Sequence, residues 1–569
     1  MKTPFLRWLF VLSVALGLPI FSLLAFSQEE PGYSVWSLWL GSHYTGYEDF
    51  SKKVGEFDRG KEEAVPEISL SFSGYRGDQS LDFFGHYYDP KRISFSLTGR
   101  SKDILSGLVS YRSFYRQRAT DLLENLMARE AVDQENNPGG KMFTYEHEVP
   151  DADFGYTRHE IESDFQVKVP GSAKFKIIAA HRSILEKGDD QKVVSMHCSS
   201  CHMVSKSAEV DRRTHTVSAG IEIDPGPLFL SYIGTFRSFK SEAPPPEEHY
   251  DRAEHPVKDG DPTNFASNVI FHDTLIAFGQ MSENQKMAHT LKMKTEVGKS
   301  KILGSFTNTQ AKNKFAELKI ESNSGGLKYV FSPNLKTRFV ALASLSRIEN
   351  DEVPIDLPAW RGGDPAQFDY IRYSNLTRTI AKASAEFIYQ PHRKYRLFFS
   401  AGYEGTKRDD YPTYGADGKT TKLKFSAGAK YRPNLRFSGR FKYFFENTDD
   451  PFSPYEQLFE RSGKTLGSPF YYFQRDSLRY GSITNQPTNL HGVDFTINFR
   501  PNRKTNMSAG LRASLETNGE TDSLDFERTK LQPQVSANFA PTPRWNLFGS
   551  ISYAYDKSNG LAVVAMMDG

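Results

Sequence analysis

Cysteine is nearly absent: the chain has 569 residues and two cysteines, Cys198 and Cys201. So few rule out a disulfide framework, leaving one local bridge or a cofactor site. An excess of either charge is also missing. Basic residues number 71 and acidic ones 69, a net +2 that gives no electrostatic case for a nucleic-acid partner. Long apolar runs occur only at the start, where "WLFVLSVALGLPIFSLLAF" follows Lys2 and Arg7 and ends in the small residues Ala25 and Ser27. That pattern reads as a signal peptide, residues 1–27. No later stretch approaches the roughly 18 apolar residues of a membrane-crossing helix. The mature chain is therefore expected to be exported, either soluble or in a membrane that accepts β-barrels.

Helical periodicity is scarce too. One stretch, "ATDLLENLMAREAV" (119–132), puts Leu122, Leu123, Leu126 and Met127 on one stripe and predicts a short helix in a loop. No nucleophile elbow is found, and "GGLKY" and "LGSPF" are isolated glycine stretches rather than phosphate loops. The chain does not read as an enzyme.

What fills it is alternation. In "AKFKIIAAHR", Phe175, Ile177 and Ala179 share one face and Lys174, Lys176 and Arg182 the other. In "HGVDFTINF", Val493, Phe495, Ile497 and Phe499 oppose Asp494, Thr496 and Asn498. Period two is the strand signal, and it recurs from about residue 67 onward. "FSPNLK" (331–336), "YQPHRK" (389–394), "YRPNLR" (431–436), "FRPNRK" (499–504) and "FAPTPR" (539–544) repeat an aromatic-x-Pro turn. Proline fixes φ and donates no backbone hydrogen bond, so each ends a strand and starts a tight reversal. "YDPKR" (88–92), "VPGSAK" (169–174), "IDPGP" (223–227) and "VGKSK" (297–301) read as further members of the set.

Short turns on one side and long loops on the other predict an all-β fold, a large antiparallel transmembrane β-barrel of about 18 or more strands. Residues 28–66 are expected to lead into it and 67–569 to form it, in the bacterial outer membrane. The sequence stops at "LAVVAMMDG" without an aromatic-ended final strand, so the expectation is that the barrel is incomplete at this end. With short turns at the periplasm, loops 114–152, 183–213 and 238–270 are placed outside.

The middle loop carries "HCSSCH", 197–202. Cys-x-x-Cys-His is the spacing of c-type haem attachment, with Cys198 and Cys201 as thioethers and His202 as the proximal iron ligand. A disulfide or redox dithiol, tuned by His197 and Lys206, and a zinc site are the competing readings. For a distal ligand the candidates are His249, His255, His215, His181 and Met203, with His147 in the preceding loop. His181 and His215 share parity with the apolar residues, which sets them toward lipid or its interface.

Signal peptide, alternating strands, proline turns and the CxxC-type motif together resemble the decahaem-associated outer-membrane β-barrels, the MtrB/PioB-like group, in a CxxCH-containing variant. Members with a CxxC tend to carry it near the mature N-terminus, whereas here it lies deep in the chain and histidine follows. The resemblance implies an electron-transfer conduit that sheathes or docks a periplasmic multihaem cytochrome. An extracellular cytochrome and outer-membrane lipid are the other implied partners, and one haem c the implied cofactor. The alternative is a passive porin whose CxxC is a disulfide locking a loop.

Overall fold

The computed structural model describes residues 32–46, 63–102, 104–122, 143–169, 174–197, 201–250, 274–355, 370–372, 377–408, 419–451, 459–461, 470–471, 487–519, 526–542 and 544–560. Among these, every regular element is a strand. The main sheet has 23 strands. It is an antiparallel meander from Gly32–Tyr44 and Ala64–Arg76 to Phe526–Thr542 and Trp545–Ser552. The one parallel pairing sets Phe143–His147 beside the start of Cys201–Ile223. The all-β class, the antiparallel order and the large strand number are as the alternation predicts.

Each strand divides its residues between two faces. Across the ladder joining Phe437–Asp449, Asn489–Asn502 and Thr505–Asn518, Phe441, Phe495 and Leu511 stand in one row and remain exposed. The other face carries Ser, Thr, Lys and Glu. One face apolar and the other polar, strand after strand, is the pattern of a transmembrane barrel wall.

The apolar face ends in polar aromatics. Near the short turns stand Tyr395 and Tyr431, rings stacked at 4.8 Å. Toward the long loops the tyrosine hydroxyls meet imidazole Nδ1 atoms. Tyr111 contacts His159 at 2.8 Å, Tyr232 contacts His289 at 2.7 Å and Tyr443 contacts His491 at 2.8 Å. His181 and His215 stack on each other on the same face, ring centroids 6.2 Å apart, with no tyrosine between them. Amphipathic rings at two levels bracket an apolar band, as side chains at a membrane interface do.

Four expectations need correcting. The sheet begins at Gly32 rather than near residue 67, because Gly32–Tyr44 pairs along its whole length with Ala64–Arg76. Its apolar residues fall on both faces, Trp36 and Leu38 on one and Val35 and Trp39 on the other, so period two is hidden there. The turn between Gln79–Asp89 and Arg92–Ser101 lies on the long-loop side, because reversals without proline after Arg76 and Ser101 alternate with it. Residues 183–213 are not a loop but the outer half of a hairpin, Phe175–His197 with Cys201–Ile223. In the expected helix, residues 119–122 are not helical, and 123–132 lie outside the described residues.

Candidate functional site

The two strands flanking the cysteine motif are each 23 residues long, and their register runs unbroken from Phe175 opposite Ile223 to His197 opposite Cys201. Their neighbours stop early. Gly155–Lys168 reaches only Asp189, and Leu228–Ser241 only Arg212. The ribbon beyond these points overhangs the wall by about eight residues a side, roughly 25 Å at strand rise.

Gly188 marks the departure. Its φ of 154° lies at the edge of the region that side chains avoid, and a Cβ there would run into the Gly155 carbonyl. Beside it, Asp190 is buried among Arg118 at 3.5 Å, Lys192 at 3.6 Å and Arg212 at 3.7 Å. Below, on the polar face of the wall, Glu160 is buried against Arg112 at 2.7 Å, Arg182 and Arg158. A buried carboxylate needs such partners, since an unpaired one pays its full desolvation.

Loop segments brace the overhang. Phe143–His147 lies parallel to Cys201–Ser205, and the Glu148 N–H donates to the Ser205 carbonyl at 3.1 Å. Ser205 is fully buried, and its hydroxyl accepts from Gln191 Nε2 at 2.6 Å. The Gln191 side chain also donates to the Asp121 carbonyl at 2.6 Å, accepts the Asp121 N–H at 2.7 Å, and lies 3.0 Å from His147 Nε2. Val204 is buried against Val194 and Ile276. On the opposite flank Lys206 pairs with Glu248 at 2.8 Å and Glu148 at 3.1 Å and donates to the Glu247 carbonyl at 3.0 Å. The Glu248 bond, seconded by Glu148, holds this ammonium above the usual lysine pKa of 10.5.

The described part of the motif opens the second strand of the ribbon. Cys198 lies outside the described residues. Cys201 and His202 are the first two positions of their strand, opposite His197 and Met196. Consecutive strand positions belong to alternate faces. Met203 follows, opposite Ser195.

The distal-ligand candidates separate clearly. His181 and His215 lie on the apolar face, and His215 is thirteen positions from His202, about 40 Å along a strand. They belong to the interfacial level, not to the apex. His249 stands in Glu247–Tyr250, the short strand clamped to Lys206. His147 accepts the Val149 N–H at Nδ1, at 3.2 Å, and His255 lies outside the described residues. No group of three or more His, Cys, Asp or Glu arranged for a metal occurs among the described residues. The bracing residues Gln191, Ser205 and Lys206 carry no motif. Only the unusual length of the flanking alternation, 23 residues against the 9–11 that span a membrane, could have disclosed an overhang.

No protein-family model matches the chain, and no curated protein does. Among solved structures it is similar to the FrpB iron transporter from Neisseria meningitidis, at 10% identity and TM-score 0.41, over 91% of this chain and 75% of that one. It is similar to the siderophore receptor PiuA from Acinetobacter baumannii, at 11% identity and TM-score 0.40, over 84% and 74%. The ferric-catecholate import receptor Fiu from E. coli K12 is similar at 10% identity and TM-score 0.39, over 93% and 81%.

Proposed function

We propose that this chain is the wall of a bacterial outer-membrane barrel that serves as an electron conduit, with its redox centre at the apex of the overhanging ribbon. A sheet of this many strands, closed into a barrel, would surround far more space than side chains fill, room for a periplasmic multihaem cytochrome sheathed in the lumen or docked at its mouth. The observation that carries the reading is the placement of Cys198-x-x-Cys201-His202. The chain's only two cysteines belong to this motif, and Cys201 opens a strand of the longest hairpin among the described residues, on a braced platform beyond the apolar band. Two thiols and an adjacent imidazole are the donor set that holds a haem c. Cys198 and Cys201 would hold it through thioethers and His202 would supply a nitrogen ligand, with His249, on the short strand clamped to Lys206, a candidate second ligand. Such a group supplies one-electron exchange at the loop side of the membrane.

A second reading rests on a different observation. Cys201 and His202 are consecutive positions of a strand that pairs Cys201 opposite His197, with Cys198 three residues before Cys201 in sequence. That arrangement suits a disulfide or redox dithiol closing the ribbon of a passive channel.

The visible spectrum and intact mass of the protein from its native outer membrane decide between them. The conduit reading expects the absorption of a reduced c-type haem and a mass raised by one haem, both abolished by Cys201→Ser. A colourless protein lighter by two hydrogens overturns the haem and leaves the disulfide channel.

A further inference from the structure

Three neighbouring strands, Tyr395–Lys407, Lys419–Tyr431 and Phe437–Asp449, treat their polar-face charges in two ways. Toward the loop side, signs alternate across the ladder. Lys382 on the preceding strand faces Glu404, which faces Lys422, while Lys424 faces Glu446. The groups pair accordingly, Lys382–Glu404 at 3.1 Å, Lys424–Glu404 at 3.6 Å, and Lys422 and Lys424 each 3.3 Å from Glu446.

Toward the turns, the rule is broken. Arg396 stands directly opposite Lys430, and Lys430 directly opposite Arg440. Like charges directly opposite are destabilising in a ladder. None of the three forms an ion pair among the described residues. They line a cavity of about 260 Å³ with Phe398 and a single carboxylate, Glu386. The cavity has a shaped floor. Arg440 lies over the Phe398 ring at 5.5 Å, and a Cβ at position 428 would collide with that ring and with the Phe441 carbonyl. Gly428 is what lets the ring lie across the strand.

We propose that Arg396, Lys430 and Arg440 form a binding site for a multivalent oxyanion, phosphate or carboxylate in chemistry, on the polar face of the wall at its turn end. Two guanidinium forks and an ammonium converge from three strands, and Arg groups match oxyanions in planar, two-point fashion. The anion supplies the missing negative charge in a row that otherwise repels itself. The turns below are basic as well, with Lys336, Arg393, Lys394, Arg436, Lys504 and Arg544, so the field draws anions toward the site. This site is independent of whether Cys198 and Cys201 carry haem.

Titration of the full-length protein in detergent with inorganic phosphate, at constant ionic strength, tests it. Lys430→Gln and Arg440→Gln each weaken phosphate binding by about tenfold or more, the worth of one charge-assisted contact. Lys382→Gln, which removes the same charge from the alternating row, leaves phosphate binding unchanged. Without phosphate and at low salt, Lys430→Gln raises the unfolding midpoint and Lys382→Gln lowers it. The proposal falls if phosphate does not bind the unaltered protein, if Lys382→Gln weakens binding as much as Lys430→Gln, or if Lys430→Gln lowers the midpoint.

Discussion

The wall and the overhanging ribbon are made of the same strands, yet they are held by different physics. In the wall, Leu511 sits opposite Phe495 on one ladder and Pro533 on the other, exposed among apolar neighbours. The backbone groups of the wall pair in the ladders, and the apolar face is left for lipid to cover. Beyond Gly188 this logic stops. Val204 is buried by Val194 and Ile276, Ser205 is fully enclosed, and the Gln191 amide serves the Ser205 hydroxyl and both backbone groups of Asp121. The ribbon is held by side chains instead, a small apolar contact around Val204 and hydrogen bonds that satisfy the buried Ser205. The change falls within a single pair of strands, where a side chain's proper environment depends on height rather than on alternation alone.

A charge on the wall's apolar face tests the comparison most severely. Leu511→Arg lies mid-strand, so it should cost about 2–4 kcal/mol of stability in a bilayer. Denaturant unfolding in lipid vesicles measures this. In the ribbon, the exposed Val193 replaced by Arg serves as the contrast and should cost nearly nothing. Equal costs at the two heights would mean that residue 193 is also in lipid, and the overhang would be lost.

The next effect is confined to the ribbon. Gln191→Ala strands the buried Ser205 hydroxyl and the Asp121 backbone groups, which should cost about 1–3 kcal/mol locally. Hydrogen exchange should rise across residues 201–206 while the wall strand Thr505–Asn518 keeps its protection. Exchange that rises equally in both would show ribbon and wall to be one cooperative unit.

How much of this was open to sequence reading follows from the same contrast. The wall was legible because membrane and lumen impose opposite demands on alternate residues, and Phe495 and Asp494 record them directly. Gly32–Tyr44 escaped because Val35 and Trp39 make its second face apolar too. The turn at Asp89–Arg92 was assigned to the wrong side, since a proline turn reads alike at either rim and the reversal after Arg76 uses Gly77, at φ 53°, instead. The motif at Cys198, Cys201 and His202 was legible as spacing, but its brace was not. Gln191, Asp121 and His147 are brought together by a loop returning parallel to Cys201–Ser205, a pairing that no local pattern announces. The row of Arg396, Lys430 and Arg440 was hidden likewise, because register rather than sequence distance makes neighbours of them.

The smallest effect concerns the clamp that ties the ribbon to the strand bearing His249. Lys206 is held above the ordinary lysine pKa of 10.5, first by its bond to Glu248. A raised folded-state pKa means that the ammonium's contribution is complete below the unfolded value and is lost as pH rises through the folded one. Between pH 7 and 10 the clamp should therefore hold, and above that range it should open. The energy at stake is below about 1 kcal/mol, because these ion pairs sit beside water. The methyl resonance of Met203, three positions along the same strand, should stay constant to pH 10 and shift only above it. Lys206→Gln should abolish that shift without disturbing the wall. A resonance that moves below pH 9, or that still moves in the variant, would assign the flank's rigidity to the Val204 core rather than to the charge.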